Sequence, residues 1–377
     1  MALNCGIVGL PNVGKTSIFS ALSSVAAETA NYQSYNKNPN VGVANVPDAR
    51  LTKLSEIFKP KRTIPATVEF IDVAGLVRGS SQGEGLGNQF LAHIREVGII
   101  AHVVRCFDNP DILHVSGKID PDSDIETINI ELALADLSTM AKRRERAEHT
   151  LKVKAKAEHK AAETVLAVLD KIAPVLENGG AVRSVNLSDE EKAAIYDCHF
   201  ITAKPMLYVC NVDEDGMKAV AEGALGASTA YIDAVRKRAA AEGSTAVVIC
   251  GKLEADLISI EDPEEKQAFL AELGLKEPAL ASLIHSAYAL LGLRTFFTAG
   301  DDECRAWTIY AGAPAPKAAR AIHTDFEKGF IKADVYTFDD IVKYGTEAKI
   351  KEAGKYRIEG KEYIVQDGDV MFFKFNV

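Results

Sequence analysis

The segment GLPNVGKT (9–16) has the residue types and spacing of a phosphate-binding loop, G-x-x-x-x-G-K-[ST]. An apolar run precedes it and a helix-forming run follows, as the motif requires. Backbone N–H groups of such a loop, together with the positive end of the helix, bind phosphate oxygens. We expect Lys15 to reach the β- and γ-phosphates and the Thr16 hydroxyl to bind Mg²⁺. The loop predicts a nucleoside triphosphate site that also includes Asn12, Val13, Gly14 and Ser17.

A second motif, DVAG (72–75), follows the apolar run TVEFI. In P-loop proteins an aspartate at the end of a strand, followed by x-x-Gly, holds Mg²⁺ and contacts the γ-phosphate. Asp72 is therefore the expected outer Mg²⁺ residue, and the Gly75 N–H is the expected γ-phosphate contact. Leu76 comes next, where Ras-like enzymes carry a glutamine that orients the attacking water. Because leucine has no hydrogen-bonding group in its side chain, another residue must position that water.

A third stretch, YVCNVDEDG (208–216), resembles the guanine-recognition loop Asn-Lys-x-Asp, with Val212 replacing the lysine and Glu214 replacing the aspartate. That aspartate accepts hydrogen bonds from the ring N–H and the amine of guanine, whereas adenine presents no such donor pair. Asn211 is expected to brace the loop and contact the purine, and backbone atoms around Val212 to contact the adenine amine and N1. The loop predicts a preference for adenine of about 1–3 kcal/mol. A GTPase with relaxed base specificity is the alternative.

These motifs require a sheet that brings several strand ends together. Apolar runs without polar alternation indicate strands buried on both faces, and such runs occupy 3–9, 67–72, 98–106, 205–211 and 245–251. Helix-forming stretches lie among them at 14–28, 88–97 and 227–242. Alternating strands and helices predict an α/β fold with a doubly wound, mostly parallel sheet.

A long insertion interrupts this alternation. The stretch from Ile125 to Leu176 is nearly free of Gly and Pro and rich in strong helix formers, with apolar residues at helical spacing. The sequence NGG at 178–180 ends the pattern. We predict an antiparallel helical hairpin inserted into the α/β domain.

The C-terminal part of the chain has a different composition. RAWTIYAGAPAPKAARAIH predicts a strand, a turn and a helix, and EGKEYIVQDGDVMFFKFNV (359–377) predicts two strands joined by a turn at Asp367-Gly368. The predicted organisation is a nucleotide-binding domain at 1–124 plus 200–282, a helical insertion at 125–199 and an α+β domain at 283–377.

Composition limits the classes of partner. The 377 residues predict two or three domains, and a net charge of −10 disfavours indiscriminate nucleic-acid binding and sequence-specific DNA. No apolar run is long enough to span a bilayer, and six cysteines without a CxxC pair predict a reduced, cytoplasmic protein without a zinc site. Between Lys142 and Lys160, however, eight Lys/Arg face three Glu. That basic face is either an RNA contact or a solvated helix surface.

The motifs taken together resemble the Obg-like ATPases, a branch of the Obg group of P-loop proteins. The resemblance covers essentially the whole chain and depends on GLPNVGKT, DVAGLVRGSSQGEGLGNQFLAHIRE (72–96), HVVRCF (102–107), NVDE (211–214), HTDFEKGFIKADV (323–335) and the final EGKEYIVQDGDVMFFKFNV. It implies an Obg-type G domain, an inserted coiled coil and a C-terminal TGS domain of the β-grasp type. It also implies ATP binding, slow hydrolysis with Mg²⁺, and association with the ribosome, here expected at the large subunit. A nucleotide-gated ribosome adaptor with incidental hydrolysis is a further alternative.

The resemblance also assigns roles to individual residues. It links Asn12 to activation by a monovalent cation such as K⁺, places Gly251 of CGKLE (250–254) in the last nucleotide loop, and suggests that His114 positions the attacking water. A structural hydrogen bond is the alternative role for His114. In the first switch the family has a Mg²⁺-binding threonine where this chain has Asn36, with Ser34 as a nearby substitute. The resemblance gives more support to RNA contact as the role of the basic face. The members of this face are Arg143, Arg144, Arg146, Lys152, Lys154 and Lys156.

Overall fold

The computed structural model describes residues 4–27, 40–73, 86–153, 156–260 and 262–376. The predicted site residues Asn36 and Gly75, together with Ser34, Leu76 and Lys154, lie outside these ranges. The chain divides into two compact units, of which the first comprises Met1–Gly42 and Glu69–Ala287 and the second Val43–Val68 and Tyr288–Val377.

Strands and helices alternate along most of the chain. The strands are β1 Asn4–Val8, β2 Val41–Asn45, β3 Arg62–Ile64, β4 Thr67–Asp72, β5 Ile99–Arg105, β6 Met206–Asn211, β7 Thr245–Ile249, β8 Leu293–Ala299, β9 Glu303–Tyr310, β10 Phe330–Thr337, β11 Arg357–Glu359 and β12 Asp369–Phe375. The helices are α1 Lys15–Ala27, α2 Ala49–Phe58, α3 Leu86–Glu96, α4 Pro121–Val153, α5 Lys156–Glu177, α6 Asp189–Ala194, α7 Glu214–Glu222, α8 Ala227–Ala241, α9 Gly251–Ser259, α10 Pro263–Glu272, α11 Ala279–Leu290, α12 Ala315–Ile322, α13 Thr324–Lys328, α14 Phe338–Tyr344 and α15 Glu347–Glu352. Three short 3₁₀ helices lie at Val182–Ser184, Tyr196–Cys198 and Ile201–Ala203.

The predicted parallel sheet has the strand order β2-β4-β1-β5-β6-β7, and its strands β1, β5, β6 and β7 belong to the first unit. The pairs β1–β4, β1–β5, β5–β6 and β6–β7 are all parallel. Every residue of the central strands β5 and β6 is buried, as their unbroken apolar sequences predicted. Because these pairs are parallel, the carboxyl ends of β1, β4, β6 and β7 lie at one edge of the sheet, together with the phosphate-binding loop, Asp72 and the start of the NVDE stretch. The α/β fold with a mostly parallel sheet is confirmed.

The predicted helical hairpin consists of α4 and α5. Helix α4 has 33 residues and is therefore about 50 Å long. Its buried Ala133, Met140 and Ala147 pack in one cluster with Val165 and Ile172 of α5. The helices are antiparallel, since a side chain at Gly179, just after α5, would lie 3.1 Å from Ile130 near the start of α4. Among the described residues, no helix is both long and apolar enough to cross a membrane.

The second unit is built on a mixed sheet in the order β11-β10-β12-β8-β9-β3. Strand β9 and helix α12 confirm the predicted strand, turn and helix. The predicted β-hairpin at Asp367-Gly368 is wrong, because β11 and β12 each pair antiparallel with β10, on its two sides. Asp367 instead accepts from the Thr295 N–H and forms an ion pair with Arg50. In the sequence, the pair Asp367-Gly368 is a turn signal. The long-range partners of this aspartate cannot be recognised from its neighbouring residues.

The units also divide the chain differently from the predicted domains. Residues 43–68, assigned by sequence to the nucleotide-binding domain, belong to the second unit. Strand β3 pairs with β9, and the Arg50 guanidinium of α2 lies 5.2 Å from the Phe297 ring centre of β8. Such contacts join segments more than two hundred residues apart, so local patterns cannot predict them.

Candidate nucleotide-binding site

The phosphate-binding loop connects the end of β1 to the start of α1. Gly9, Asn12 and Gly14 have positive φ angles of 154°, 62° and 95°. A side chain at Gly9 would lie 2.5 Å from the Val103 carbonyl oxygen, and one at Gly14 would lie 2.1 Å from Asn211 Nδ2. Both positions therefore require glycine, because the loop is packed closely against its neighbours. Asn12 is not a glycine, yet its backbone adopts the left-handed conformation. Asparagine is tolerated in that conformation better than most residues.

Lys15 folds back over this loop. Its Nζ donates to the carbonyl oxygens of Gly9 at 2.8 Å and Leu10 at 2.7 Å, and the residue is buried. Burial lowers the pKa of Lys15 to about 8, and the nearby Asp72 carboxylate opposes this shift. Burial in turn raises the pKa of Asp72, against the effect of Lys15. The two charges therefore lie close together between the ends of β1 and β4, where Asp72 is in register with Ile7.

The residues present fit a Mg²⁺–triphosphate site. Thr16 is exposed in the first turn of α1, and Asp72 is half-buried at the neighbouring strand end. A hydroxyl and one carboxylate, completed by phosphate and water oxygens, are the oxygen ligands that Mg²⁺ prefers. Among the described residues, no group of three or more His, Cys, Asp or Glu side chains forms a metal site.

Asn211 braces the loops around the predicted nucleotide. Its side chain is buried, its Nδ2 donates to the Val13 carbonyl at 2.8 Å, and its Oδ1 accepts from the Gly251 N–H at 3.0 Å. One amide thus holds the phosphate-binding loop and the start of α9 together. In this arrangement both ends of the amide are engaged with backbone groups, and the predicted contact of Asn211 with the purine stays a prediction.

Val212 and Glu214 have different surroundings from those predicted. Val212 is buried, and its N–H donates to the Ile249 carbonyl at 2.9 Å, so this N–H is engaged within the protein. The contacts of backbone atoms around Val212 with the adenine amine and N1 stay a prediction. Glu214 is half-buried at the start of α7, and its Oε1 lies 2.9 Å from Lys252 Nζ. Hydrogen bonding and charge from Glu214 raise the pKa of Lys252. The carboxylate at the position of the guanine-binding aspartate is therefore paired with Lys252 in the first turn of α9, a contact that the sequence motifs did not indicate.

A loop after β5 lies against the phosphate-binding loop. The buried Arg105 donates to the carbonyls of Phe107, Asn109 and Ile112, which fixes the course of this loop. The Leu113 carbonyl then accepts from Asn12 Nδ2 at 3.2 Å. The arginine within the apolar run HVVRCF (102–107) is the sequence signal for this buried anchor, while its carbonyl partners depend on the path of the loop.

His114 is the next residue of that loop. Its side chain is 5% exposed, its Nε2 lies 3.0 Å from Asp124 Oδ2, and its Nδ1 lies 2.8 Å from Ser116 Oγ. Asp124 lies in the first turn of α4, and its burial raises the pKa of its carboxyl against the effect of His114. The ring is thus engaged on both nitrogens in a structural contact. A role in water positioning stays a prediction and requires the ring to leave Asp124.

The predicted basic face on the hairpin is only partly free of ion pairs. Arg143 Nε lies 3.3 Å from Asp197, and Arg144 Nη2 lies 2.6 Å from Asp170. Arg146, Lys152 and Lys156 are exposed to solvent. These three remain the candidates for contact with a polyanion.

Comparison with known proteins gives matches over nearly the whole chain. A family model described as a 50S ribosome-binding GTPase matches residues 4–134, and the YchF-GTPase C-terminal model, described as a protein of unknown function, matches 293–376. The ribosome-binding ATPase YchF of Haemophilus influenzae is 54% identical, and that of Bacillus subtilis 48%, each over 100% of both chains. The solved structure of the Schizosaccharomyces pombe YchF GTPase matches with a TM-score of 0.86 at 35% identity, covering 98% of this chain and 97% of that one. The chain therefore belongs to the YchF family of Obg-like P-loop proteins.

Proposed function

We propose that this protein is a nucleotide-dependent switch that binds ATP in preference to GTP, hydrolyses it slowly to ADP and phosphate, and associates with ribosomes in the cytoplasm. The observation that carries the proposal is the side chain of Asn211, which bridges Val13 of the phosphate-binding loop and Gly251 at the start of α9. This bridge brings together motifs about two hundred residues apart in the chain, which supports their acting as one nucleotide site. The bacterial relatives are named ribosome-binding ATPases, and this supports the choice of ATP and of the partner.

In this proposal the phosphates and the cations occupy the sheet edge next to Lys15. Lys15 binds the β- and γ-phosphates, Thr16 is a direct Mg²⁺ ligand, and Asp72 acts through water. Mg²⁺ supplies charge neutralisation of the phosphates when it is bound. Asn36 and Gly75 are proposed to complete the metal shell and the γ-phosphate contact. Asn12 donates through Nδ2 to Leu113, which leaves its Oδ1 as the atom proposed to bind K⁺.

The base preference is proposed to depend on the pairing of Glu214. A guanine-specific loop needs a free carboxylate to accept from the guanine N–H groups, and here that carboxylate faces Lys252 at 2.9 Å. Guanine would therefore leave hydrogen-bonding groups unpaired, which costs about 1–3 kcal/mol. The fission yeast relative is named a GTPase, so relaxed base specificity is the alternative to be tested.

Water positioning is proposed for His114, since Leu76 replaces the usual glutamine. Asp124 holds the His114 ring, and the ring must leave that carboxylate before it can orient water. The protein would therefore hydrolyse nucleotide slowly. This contact links the proposed catalytic group to the first turn of α4. The same helix carries Arg143, Arg144, Arg146 and Lys152 of the basic face farther along its length. The large ribosomal subunit is the proposed partner of that face.

The proposal is tested by pelleting ribosomes with the protein in the presence of Mg²⁺ and either ADP or a non-hydrolysable ATP analogue. The expected result is a clear difference in co-sedimentation between the two nucleotides for the natural protein, and its loss in Lys15→Ala. Equal binding in both nucleotide states, with Lys15→Ala unchanged, would leave a ribosome adaptor with incidental hydrolysis and would contradict the switch.

A further inference from the structure

A cavity lies at the edge of the parallel sheet opposite the nucleotide site. Its volume is about 760 Å³, within the usual range for small-molecule sites. Gly98 and Pro205, which immediately precede β5 and β6, form part of its wall. The phosphate-binding loop and the NVDE stretch (211–214) instead follow the carboxyl ends of β1 and β6. This cavity is therefore separate from the nucleotide site.

The walls of the cavity combine apolar side chains with cations. The apolar lining includes Val97, Val182, Val185, Leu187, Ile195 and Phe200. The charged lining residues are Arg95, Arg183, Lys192 and Lys204, against the single acid Glu96. An apolar cavity with a few converging charged groups is the usual form of a site for a small organic ligand.

Two of these cations have neutral partners. Lys204 Nζ donates to the carbonyl oxygens of Arg95 and Val97, while Arg95 donates to the His199 carbonyl and to Thr139 Oγ1. Within the described part of the chain, no carboxylate lies at ion-pair distance from either side chain. The two remaining cations differ, since Arg183 is paired with Glu242 at 2.7 Å and Lys192 lies 3.6 Å from the fully exposed Asp189.

The nearest buried acid does not neutralise the two cations by direct contact. Asp136 accepts from the N–H groups of Ile201 and Thr202 and from Thr202 Oγ1, which engages both of its oxygens. Burial lowers the pKa of Lys204; the charge of Asp136 opposes that shift and the charge of Arg95 adds to it. Arg95 and Lys204 therefore repel one another in a partly buried place, and an anion between them would relieve this repulsion.

We propose that this cavity binds an organic anion, whose carboxylate or phosphate group pairs with Arg95 and Lys204 and whose apolar body packs against the aliphatic wall. Both cations are already oriented by neutral acceptors, so little side-chain entropy is lost when the anion binds. Lys204 uses two of its three N–H donors and Arg95 two of its five, which leaves donors for the anion. Tyr196, 63% exposed and 5.8 Å from the His199 ring centre, lies at the same cavity as an aromatic surface for a planar ligand.

Binding here would affect the helix that follows the DVAG motif. Helix α3 ends at Glu96, and its last turn carries Arg95. An anion paired with both Arg95 and Lys204 would connect this end of α3 to the segment that leads into β6. The ligand would thus restrain α3, which begins eleven residues after the proposed γ-phosphate contact at Gly75.

The test uses the full-length protein with saturating Mg²⁺ and ADP, which keeps the dyes out of the nucleotide site. The probe is 8-anilinonaphthalene-1-sulfonate, an anion on an aromatic body, and N-phenyl-1-naphthylamine is its neutral counterpart. Saturable binding of one equivalent of the anionic dye is expected. Arg95→Gln and Lys204→Gln should each weaken it about tenfold, or about 1.4 kcal/mol, and leave the neutral dye unchanged. Lys237→Gln, which removes an exposed charge on α8, is the matched control and should change neither dye.

The natural protein alone provides a second comparison that does not depend on the folding of a variant. 1-Naphthoate should displace the anionic dye, and the neutral 1-naphthamide should displace it at least tenfold less well. Absence of saturable dye binding, equal displacement by naphthoate and naphthamide, or unchanged dye affinity in both folded variants would each overturn the proposal.

Discussion

The side-chain amide of Asn211 connects Val13 of the phosphate-binding loop to Gly251 at the start of α9, through hydrogen bonds of 2.8 and 3.0 Å. Gly14 has to be glycine because this amide approaches so closely. The geometry makes Asn211 a brace for two nucleotide loops, and its two polar atoms are occupied by backbone groups. Its effect on binding should therefore be independent of the base.

Asn211→Asp should weaken ATP and GTP binding by similar factors. The aspartate keeps an acceptor for the Gly251 N–H but has no donor for the Val13 carbonyl, and a lost buried hydrogen bond costs about 1–3 kcal/mol. Calorimetric titration with both nucleotides measures the effect, and thermal unfolding reports whether the fold is retained. A changed ATP-to-GTP ratio at unchanged ATP affinity would mean that Asn211 contacts the base instead.

Nucleotide affinity should fall as the pH rises above about 8. Burial lowers the pKa of Lys15 to about 8, so the free protein loses this charge above that pH, while bound phosphate favours the charged form. Binding then requires proton uptake, and the dissociation constant should increase about tenfold for each further pH unit. Lys15→Arg is the matched control, because arginine stays charged and its affinity should be nearly independent of pH in this range. A parallel fall in both proteins would assign the effect to another group.

Lys252→Met should increase GTP affinity relative to ATP. The substitution removes the partner of Glu214 and leaves a carboxylate that can accept from guanine. The pair is substantially exposed, with side-chain exposures of 76% and 46%, so the shift should not exceed about fivefold. Lys218→Met on α7 removes an exposed charge nearby and serves as the control. If Lys252→Met leaves the ratio unchanged, the ion pair does not set base preference.

His114→Asn should lower kcat for ATP hydrolysis and leave KM nearly unchanged if the ring positions water. If the ring serves only in the Asp124 contact, the same substitution should lower the unfolding temperature and leave kcat unchanged. Asp124→Asn separates the two roles further, since it weakens the contact but keeps the ring. It should raise kcat if Asp124 holds the ring away from the nucleotide, and single-turnover assays provide the measurement.

Reversing the charges of Lys152 and Lys156 to glutamate should weaken ribosome binding. Both side chains are exposed on the hairpin, and each lost phosphate contact should reduce the slope of log affinity against log salt by about one. Lys218→Glu with Lys237→Glu makes the same change in net charge on α7 and α8. Unchanged co-sedimentation of the hairpin variant would show that the basic face is a solvated surface.

The parts of the fold that follow from a local sequence pattern were predictable. The buried strands β5 and β6, the helical hairpin and the loop before Lys15 each follow from residue types within a short window. The Glu214–Lys252 pair, the Arg105 anchor and the His114–Asp124 contact were not predicted, because each joins a side chain to a partner set by the three-dimensional path of a loop. Asp367 shows the same limit, since its partners Arg50 and Thr295 determine its role and its neighbours in sequence do not.

The most direct test of the ATP preference is competition of unlabelled ATP and GTP against a fluorescent ATP analogue, with Mg²⁺ and K⁺ present. We expect ATP to displace the analogue at a concentration about tenfold or more below that of GTP, corresponding to about 1.4 kcal/mol. Equal or stronger displacement by GTP would contradict the assignment of the paired Glu214 loop to adenine and would make this protein a GTPase.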